Sequence, residues 1–472
     1  MKKILEGIYF KLPLFLQNYA ITAFGYHWYD RRFGGIFKEE VKKCKERELY
    51  KIEEWNDYQE TILRNLLIHS YQTVPYYKNL FNSLSLNEND LKDFTISKLS
   101  SLPLLEKDTF RLLGSTDLIS AKREPKGEFY ASSGSTGTPT ETLFSLKMHQ
   151  KYFAIYESRV NNWAGLNYKM PRGMIGGRRI IKKGIYKGPF YRYNAIEKQV
   201  YFSAYHISAT TVENYLEGMR KHNIEYMTGY AMSNYILARF IEKMGLEAPK
   251  LKAVKTSSEK LTQEMRDTFE RVYGCKTYDA YNGVEACNLI SECEQGKLHI
   301  VPDVGIVEVL DKKGNPCLPG EIGEVISTGL LNFDQPLIRY RMGDFVKLSK
   351  DQSCNCGRNM IIVDEIIGRM EDVVIGSDGR EMVRFHSIFI NIKPIVASQV
   401  IQHTLKNFEI KIVVSEPLTD EDFKLIKTRM ESQLGEIDLR ISIVNSIPRG
   451  SNGKFKAVVS HLKGADLDHL KV

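Results

Sequence analysis

The sequence predicts a two-part α/β protein, with a large layered α/β body followed by a small α+β module. Three observations carry this. From about residue 128 to 345, short β-rich runs alternate with helical stretches. After Gly368 the texture changes to a strand–helix–strand pattern. At 472 residues, with 43% hydrophobic and 11% aromatic content, the chain can bury more than one core and is too apolar for wholesale disorder.

The chain starts with Met1-Lys2-Lys3 and an apolar, aromatic stretch from Ile4 to Ala20, the outline of a signal peptide. Glu6, Lys11, Pro13, Gln17 and Asn18 interrupt it, so the segment is expected to pack on its own domain, with a peripheral membrane surface or a partner as the alternative. No other stretch approaches the roughly 20 apolar residues of a spanning helix. Over residues 38–70, Leu49, Ile52, Trp55, Ile62, Leu66 and Leu67 recur at helical spacing and predict long amphipathic helices. Pro75-Tyr76-Tyr77 is expected to end them, and Leu102-Pro103-Leu104 to lead back into the core.

In the body, Glu213 to His222, Ser233 to Met244 and Thr262 to Tyr273 read as helices. Tyr226 to Gly229, Ala253 to Thr256, Thr277 to Tyr281 and Gly305 to Leu310 read as strands. In the small module, Glu409 to Val414 and Leu439 to Val444 read as strands. They flank a helix from Thr419 to Leu434, capped by Thr419-Asp420-Glu421-Asp422. The expected boundary falls at Ile367 to Asp372. It divides a body of 1–368 (helical leader 1–110, α/β core 111–368) from a module of 369–472.

Composition narrows the function. The 66 basic residues are opposed by 58 acidic ones and spread along the chain, so the net charge of +8 suits an anionic ligand or membrane surface and does not call for nucleic acid. Seven cysteines, an odd number without disulfide-like spacing, indicate a reducing compartment, and a cytoplasmic location is expected.

The loop Ser132-Ser133-Gly134-Ser135-Thr136-Gly137-Thr138-Pro139 offers hydroxyls and close backbone approach, a concavity suited to phosphate. It lacks the Walker A order, and taken alone it reads first as a flexible turn. Asp279-Ala280-Tyr281-Asn282-Gly283-Val284-Glu285 puts an aromatic and a carboxylate at a strand end, where α/β sheets bind ligands. Ile338-Arg339-Tyr340-Arg341-Met342-Gly343-Asp344, then Ile367-Gly368-Arg369-Met370-Glu371-Asp372, then Pro448-Arg449-Gly450-Ser451-Asn452-Gly453-Lys454 follow in order. Singly, Lys454 reads as an exposed loop lysine, Asp344 as a turn residue and Arg369 as a surface cation.

Jointly these segments have the order and approximate spacing of the acyl-adenylate-forming (AMP-binding, ANL) superfamily. Over nearly its whole length the chain resembles the phenylacetate–CoA ligase-like branch, which includes the CapK-type capsule-biosynthesis proteins. The resemblance implies an ANL-type body with a mobile C-terminal lid, and an ATP-dependent, AMP-forming ligase. Such an enzyme activates a carboxylic acid as its acyl-adenylate, then passes the acyl group to CoA or to an amine, for instance on a nucleotide sugar.

By the same resemblance Ser132, Ser133, Gly134, Ser135, Thr136, Gly137 and Thr138 hold the ATP phosphates. Ser257, Ser258, Glu259 and Tyr281 frame the adenine, Glu285 helps hold Mg²⁺, and Asp344 accepts from the ribose hydroxyls. Arg369 contacts ribose or phosphate, Glu371 stands at the hinge, and Lys454 reaches the carboxylate and α-phosphate during adenylation. The chain departs from the family pattern at Thr140, where lysine is usual, at Asn282, where glycine is common, and at Met342, where threonine is frequent. Two rival readings stay open: an adenylating module that loads a carrier protein, and a weakened member serving as a binding partner in a biosynthetic complex.

Cys293, His299, Cys354 and Cys356 form a Cys-x5-His followed at distance by Cys-x-Cys, a donor set for a structural Zn²⁺, with buried free thiols as the alternative. His206 falls where relatives often place an aromatic or histidine at the acyl pocket, with Tyr205, Tyr230 and Met232 as companions; a core histidine is the alternative. The basic run Gly177 to Lys183 reads as a solvated face, or as a surface for an anionic acceptor.

Overall fold

In the computed structural model, which describes residues 8–131, 140–182, 187–369, 374–376, 381–382, 386–389, 392, 394–414, 416–448 and 456–462, the body is organised on one 12-stranded sheet. A hairpin of β1 (Glu128–Ala131) and β2 (Glu141–Phe144) precedes it. The sheet then takes β3 (Arg172–Gly176), β4 (Tyr191–Asn194), β5 (Gln199–Ser203), β6 (Tyr226–Tyr230), β7 (Ala253–Ser257) and β8 (Lys276–Tyr281). It continues with β9 (Ile290–Glu292), β10 (Leu298–Ile300), β11 (Gly305–Leu310), β12 (Ile322–Gly329), β13 (Tyr340–Leu348) and β14 (Ile362–Arg369). The order across it is β11-β12-β13-β14-β10-β9-β8-β7-β6-β3-β5-β4.

Two chemistries meet in this sheet. Strands β5, β3, β6, β7 and β8 run parallel. Helices Val212–Lys221, Ala231–Lys243 and Gln263–Tyr273 make the crossovers that parallel strands need. The first buries Val212, Tyr215, Leu216 and Met219, an apolar stripe at helical spacing. The third starts where the Thr262 hydroxyl accepts the Met265 N–H (3.3 Å) and stops at Gly274, whose φ of 66° suits only glycine without strain. From β8 to β11 every pairing is antiparallel.

The leader helix Ile52–Thr73 buries Trp55, Leu63, Leu66 and Leu67. The helix stops at Thr73 as expected, because Val74, the residue before Pro75, is held extended (φ -114°, ψ 110°), and Pro75 then takes the first position of the next helix, Pro75–Ser83, where its missing N–H costs little. Leu105 then pairs with β13, exchanging backbone hydrogen bonds with Arg339 and Arg341 (2.9 and 3.1 Å). The N-terminal helix Leu14–Phe33 packs one face on the sheet edge, where Gly25 fits so closely that a Cβ would stand 2.3 Å from Asn194 Nδ2. Its other face exposes Leu14, Phe15, Leu16, Tyr19, Phe24 and Tyr26. Among the described residues no helix is long and apolar enough to cross a membrane.

The C-terminal domain contains β15 (Val374–Ile375), β16 (Glu381–Met382), β17 (Ile395–Gln402), β18 (Asn407–Val414), β19 (Asp438–Ile443) and β20 (Val458–Ser460). The last four form a sheet ordered β19-β18-β17-β20. Helix Asp420–Leu434 packs on it through Ile426, Met430 and Leu434, against Val400, Phe408 and Ile410. Thr419 and Asp422 cap that helix reciprocally, at 3.2 and 2.9 Å.

Candidate active site

The C-terminal ends of the parallel strands converge on one region, the usual ligand position in such sheets. Tyr281 ends β8, and its hydroxyl donates to Asp344 Oδ2 on β13 at 2.6 Å. Burial pushes the Tyr281 phenol well above its usual range, and the Asp344 charge pushes the same way, so the phenol stays protonated and donates. Asp344 is paired in register with Arg369 across β13 and β14. Ser257 ends β7. Ser258 follows at φ 69°, a left-handed turn that aims the chain into Glu259, whose Oε2 accepts the Met232 N–H at 2.9 Å.

Glu285 is buried, and its Oε1 accepts from the Thr140 hydroxyl (3.1 Å) and the Tyr340 hydroxyl (3.4 Å). Its Oε2 turns toward Gly283, where a Cβ would stand only 2.6 Å away. The glycine is needed for that close approach. A carboxylate oxygen held by neutral donors is a fitting ligand for a hard cation such as Mg²⁺. Ser132 to Thr138, expected to hold phosphates, Glu371, expected at a hinge, and Lys454 lie outside the described residues, as does the Arg369 side chain.

Beside Ser257, Ser258 and Asn282 opens a cavity of about 360 Å³. Tyr152, Tyr156 and Tyr226 line it with Arg172, Glu157 and Lys255. Asn282 donates to the Tyr152 hydroxyl (2.6 Å), joining cavity wall to strand end. His206, Tyr205 and Tyr230 are not part of this lining. His206 shares a hydrogen bond with Ser203 Oγ (2.7 Å) and stacks on Phe190, and Tyr205 donates to the Gly177 carbonyl (3.1 Å). Tyr230 closes β6, and its carbonyl accepts from Asn234 Nδ2 (2.8 Å).

Sequence reasoning missed the cavity's charged residues. A signal existed for Lys255, because a lysine inside a buried parallel strand breaks the apolar run such strands keep. Burial lowers its ammonium to about 7, Arg172 adding to the effect and Glu157 opposing it. Nearby, burial and the Glu292 charge lift Asp279 to about 7 against the pull of Arg266.

Away from the strand ends, Cys293, His299, Cys354 and Cys356 bring their ligand atoms within 4.8 Å of one another. The Cys293 and Cys354 sulfurs are 3.7 Å apart, and Cys356 Sγ is 3.5 Å from His299 Nε2. Ligands on a tetrahedral zinc, bound at about 2.0–2.3 Å, stand roughly 3.5–3.8 Å from each other, so the spacing fits. Burial holds the Cys293 thiol up to about 12 and the His299 ring down to about 4. A divalent cation would reverse the first preference and use the neutral ring as it stands.

Comparison with known proteins bears on this arrangement. A sequence family described as the CapK C-terminal domain matches residues 374–461. Protein CapK of Staphylococcus aureus is 26% identical over 98% of this chain and 100% of its own length. A phenylacetate-coenzyme A ligase of Thermus thermophilus is 25% identical over 85% of this chain and 95% of its own. In fold, the crystal structure of 2-hydroxyisobutyryl-CoA ligase in the postadenylation state, in complex with R3-HIB-AMP, aligns with a TM-score of 0.69 at 16% identity, covering 88% of this chain and 91% of that one. The large body and the separate C-terminal domain therefore share the fold of that ligase. Over most of its length the chain is similar in sequence to CapK and to phenylacetate-coenzyme A ligases, and its residues 374–461 match the CapK C-terminal domain.

Proposed function

We propose that the protein is an ATP-dependent, AMP-forming ligase that activates a carboxylic acid as acyl-adenylate and passes the acyl group to CoA or to an amine. The observation that carries the reading is the meeting of the Tyr281–Asp344 pair, Glu285 and the cavity at one edge of the parallel strands. Relatives described as phenylacetate-coenzyme A ligases support CoA as acceptor. An amine acceptor, for example on a nucleotide sugar, is the alternative kept from the motif resemblance.

The chemistry sets what the residues must do. A carboxylate attacking the α-phosphorus brings two anions together, so charge neutralisation and alignment dominate the barrier. Tyr281 offers its ring to the adenine, while Asp344 presents a carboxylate to the ribose hydroxyls. Mg²⁺ bound at Glu285 would supply charge neutralisation at the phosphates. Lys454, carried by a lid of residues 369–472 pivoting at Glu371, would bring its ammonium to the attacking carboxylate and α-phosphate. Withdrawal of the lid would then admit the acceptor. Arg369 would help to hold the nucleotide beside Asp344.

Structural zinc at Cys293, His299, Cys354 and Cys356 belongs to the same reading. A cytoplasmic setting agrees with seven free cysteines. The exposed apolar face of the N-terminal helix would be the surface for any peripheral membrane contact.

The test is pyrophosphate release from ATP across a panel of carboxylic acids, with native protein and Lys454→Ala. The variant should lose about 3–4 kcal/mol of transition-state stabilisation, a few hundred-fold in rate, and keep nucleotide binding. Unimpaired adenylation by Lys454→Ala would refute the role given to this lysine.

A further inference from the structure

Strand β7 lies inside the parallel half of the sheet, between β6 and β8. Position 255 is the one place where it carries a charge, and that lysine is only 4% exposed. Its Nζ donates to Asn161 Oδ1 at 2.5 Å and sits 4.6 Å from the centre of the Tyr156 ring. Both partners are neutral. The nearby carboxylate is engaged elsewhere: Glu157 accepts from Asn161 Nδ2 (2.5 Å), the Tyr168 N–H (3.1 Å) and Asn162 Nδ2 (3.3 Å). The other basic groups along the cavity are differently placed. Arg172 and Arg32 share Glu197 Oε1 at 3.1 and 3.0 Å, and Arg178 stands exposed at the rim. The cavity thus holds an amine that faces open space without a counter-charge in contact, an arrangement that disfavours the charged form until an anion arrives.

We infer that this cavity receives an acid with a second carboxylate, and that Lys255 binds that far carboxylate while the reacting one stands at the mouth by Ser257 and Asn282. The inference rests on the ligase reading above. Lys255 is two residues before Ser257, about 6–7 Å along an extended strand. Lys255 and Ser257 stand on the same face of β7 and line one cavity, so short diacids such as glutarate and adipate are the probes that sample the separation of amine and mouth. The groups facing the amine, Glu157, Arg172, Tyr156, Tyr226 and Asn161, offer it no competing anion in direct contact. Because burial and Arg172 bring Lys255 to about 7, a bound carboxylate should charge it by drawing a proton from solvent.

The experiment pairs glutarate with pentanoate and adipate with hexanoate in the pyrophosphate-release assay. Native protein should favour the diacid in kcat/KM by about 30-fold, the value of a charge-assisted hydrogen bond, and Lys255→Met should bring the ratio near one. Glutarate binding is measured separately by calorimetry without ATP, at pH 8, in two buffers of different ionisation enthalpy. Proton uptake on binding is expected in native protein and lost in Lys255→Met, whereas Asn161→Ala should weaken binding and keep the uptake. A ratio at or below one in native protein, or an uptake unchanged in Lys255→Met, overturns the inference. If no acid releases pyrophosphate yet glutarate binds with Lys255-dependent uptake, the ligase reading fails and the dicarboxylate site stands. If monoacids alone react and diacids do not bind, the site falls and the ligase reading stands.

Discussion

A phenol 2.6 Å from a carboxylate and an amine buried among tyrosines show how the strand ends of this sheet treat charge. Where a neutral donor faces an anion, as at Tyr281 and Asp344, the phenol's rise keeps the bond intact at every physiological pH. Where burial outweighs any counter-charge, protonation becomes part of stability. Asp279 titrates at about 7 in the fold against 3.8 unfolded, so the folded state holds the proton more tightly, and stability falls as pH rises between those values. Lys255 titrates at about 7 against 10.5 unfolded, so the unfolded state holds the proton more tightly, and stability rises with pH over that window. Taken alone, the two side chains therefore put a minimum near neutrality. Urea unfolding from pH 4 to 10 should show Asp279→Asn removing the falling limb and Lys255→Met the rising one. Variants whose stability differences from native protein do not vary with pH would contradict both assignments.

At the scale of elements, the strand ends are placed by backbone fit as much as by side chains. Gly229, next to last in β6, has φ 116°, and a Cβ there would stand 2.0 Å from the Ile175 carbonyl oxygen of β3. Gly229→Ala should destabilise the protein by at least about 2–3 kcal/mol, combining backbone strain with a forced shift of a parallel neighbour. A loss below about 0.5 kcal/mol in denaturant unfolding would mean that β3 and β6 separate freely. The parallel half was legible in the sequence because Tyr226–Gly229, Ala253–Thr256 and Thr277–Tyr281 are compact β-rich runs divided by amphipathic helices. The antiparallel half was largely illegible. Strands such as Ile290–Glu292 and Leu298–Ile300 are three residues long and hold too little pattern to register. Strand β17 mixes polar and apolar residues, and only pairing with β18 and β20 makes it central. In the site, ordered motifs point to Tyr281, Glu285 and Asp344. Lys255 stayed hidden because a lone lysine in a strand reads as solvent-facing until its neighbours are known.

For the whole molecule, the cysteine–histidine cluster sits where the β9–β10 hairpin meets the turn leading into β14, the strand that pairs with β10. Cys293 and His299 flank the turn between β9 and β10, and Cys354 and Cys356 occupy the turn that leads into β14. Next to them Arg358 donates to Glu294 (2.8 Å) and to Glu48 of the helical leader (2.5 Å), and Glu48 also accepts from Trp163 Nε1 (2.8 Å). A metal ion here would thus lock a turn, a hairpin and the leader at one point. Thiols shared by an ion also lose the preference for protonation that burial gives Cys293. Metal analysis of the purified protein should find one zinc per chain, and Cys354→Ser with Cys356→Ser should remove it. Because the ion binds the folded state, withdrawing it should lower stability by about 4 kcal/mol when free zinc had exceeded its Kd a thousandfold. The loss should reverse on adding zinc to native protein and not to the double variant. A protein that purifies without metal and unfolds at the same denaturant concentration with and without chelator would make these residues free thiols and a histidine packed against Trp163, with no part for an ion in holding the hairpin.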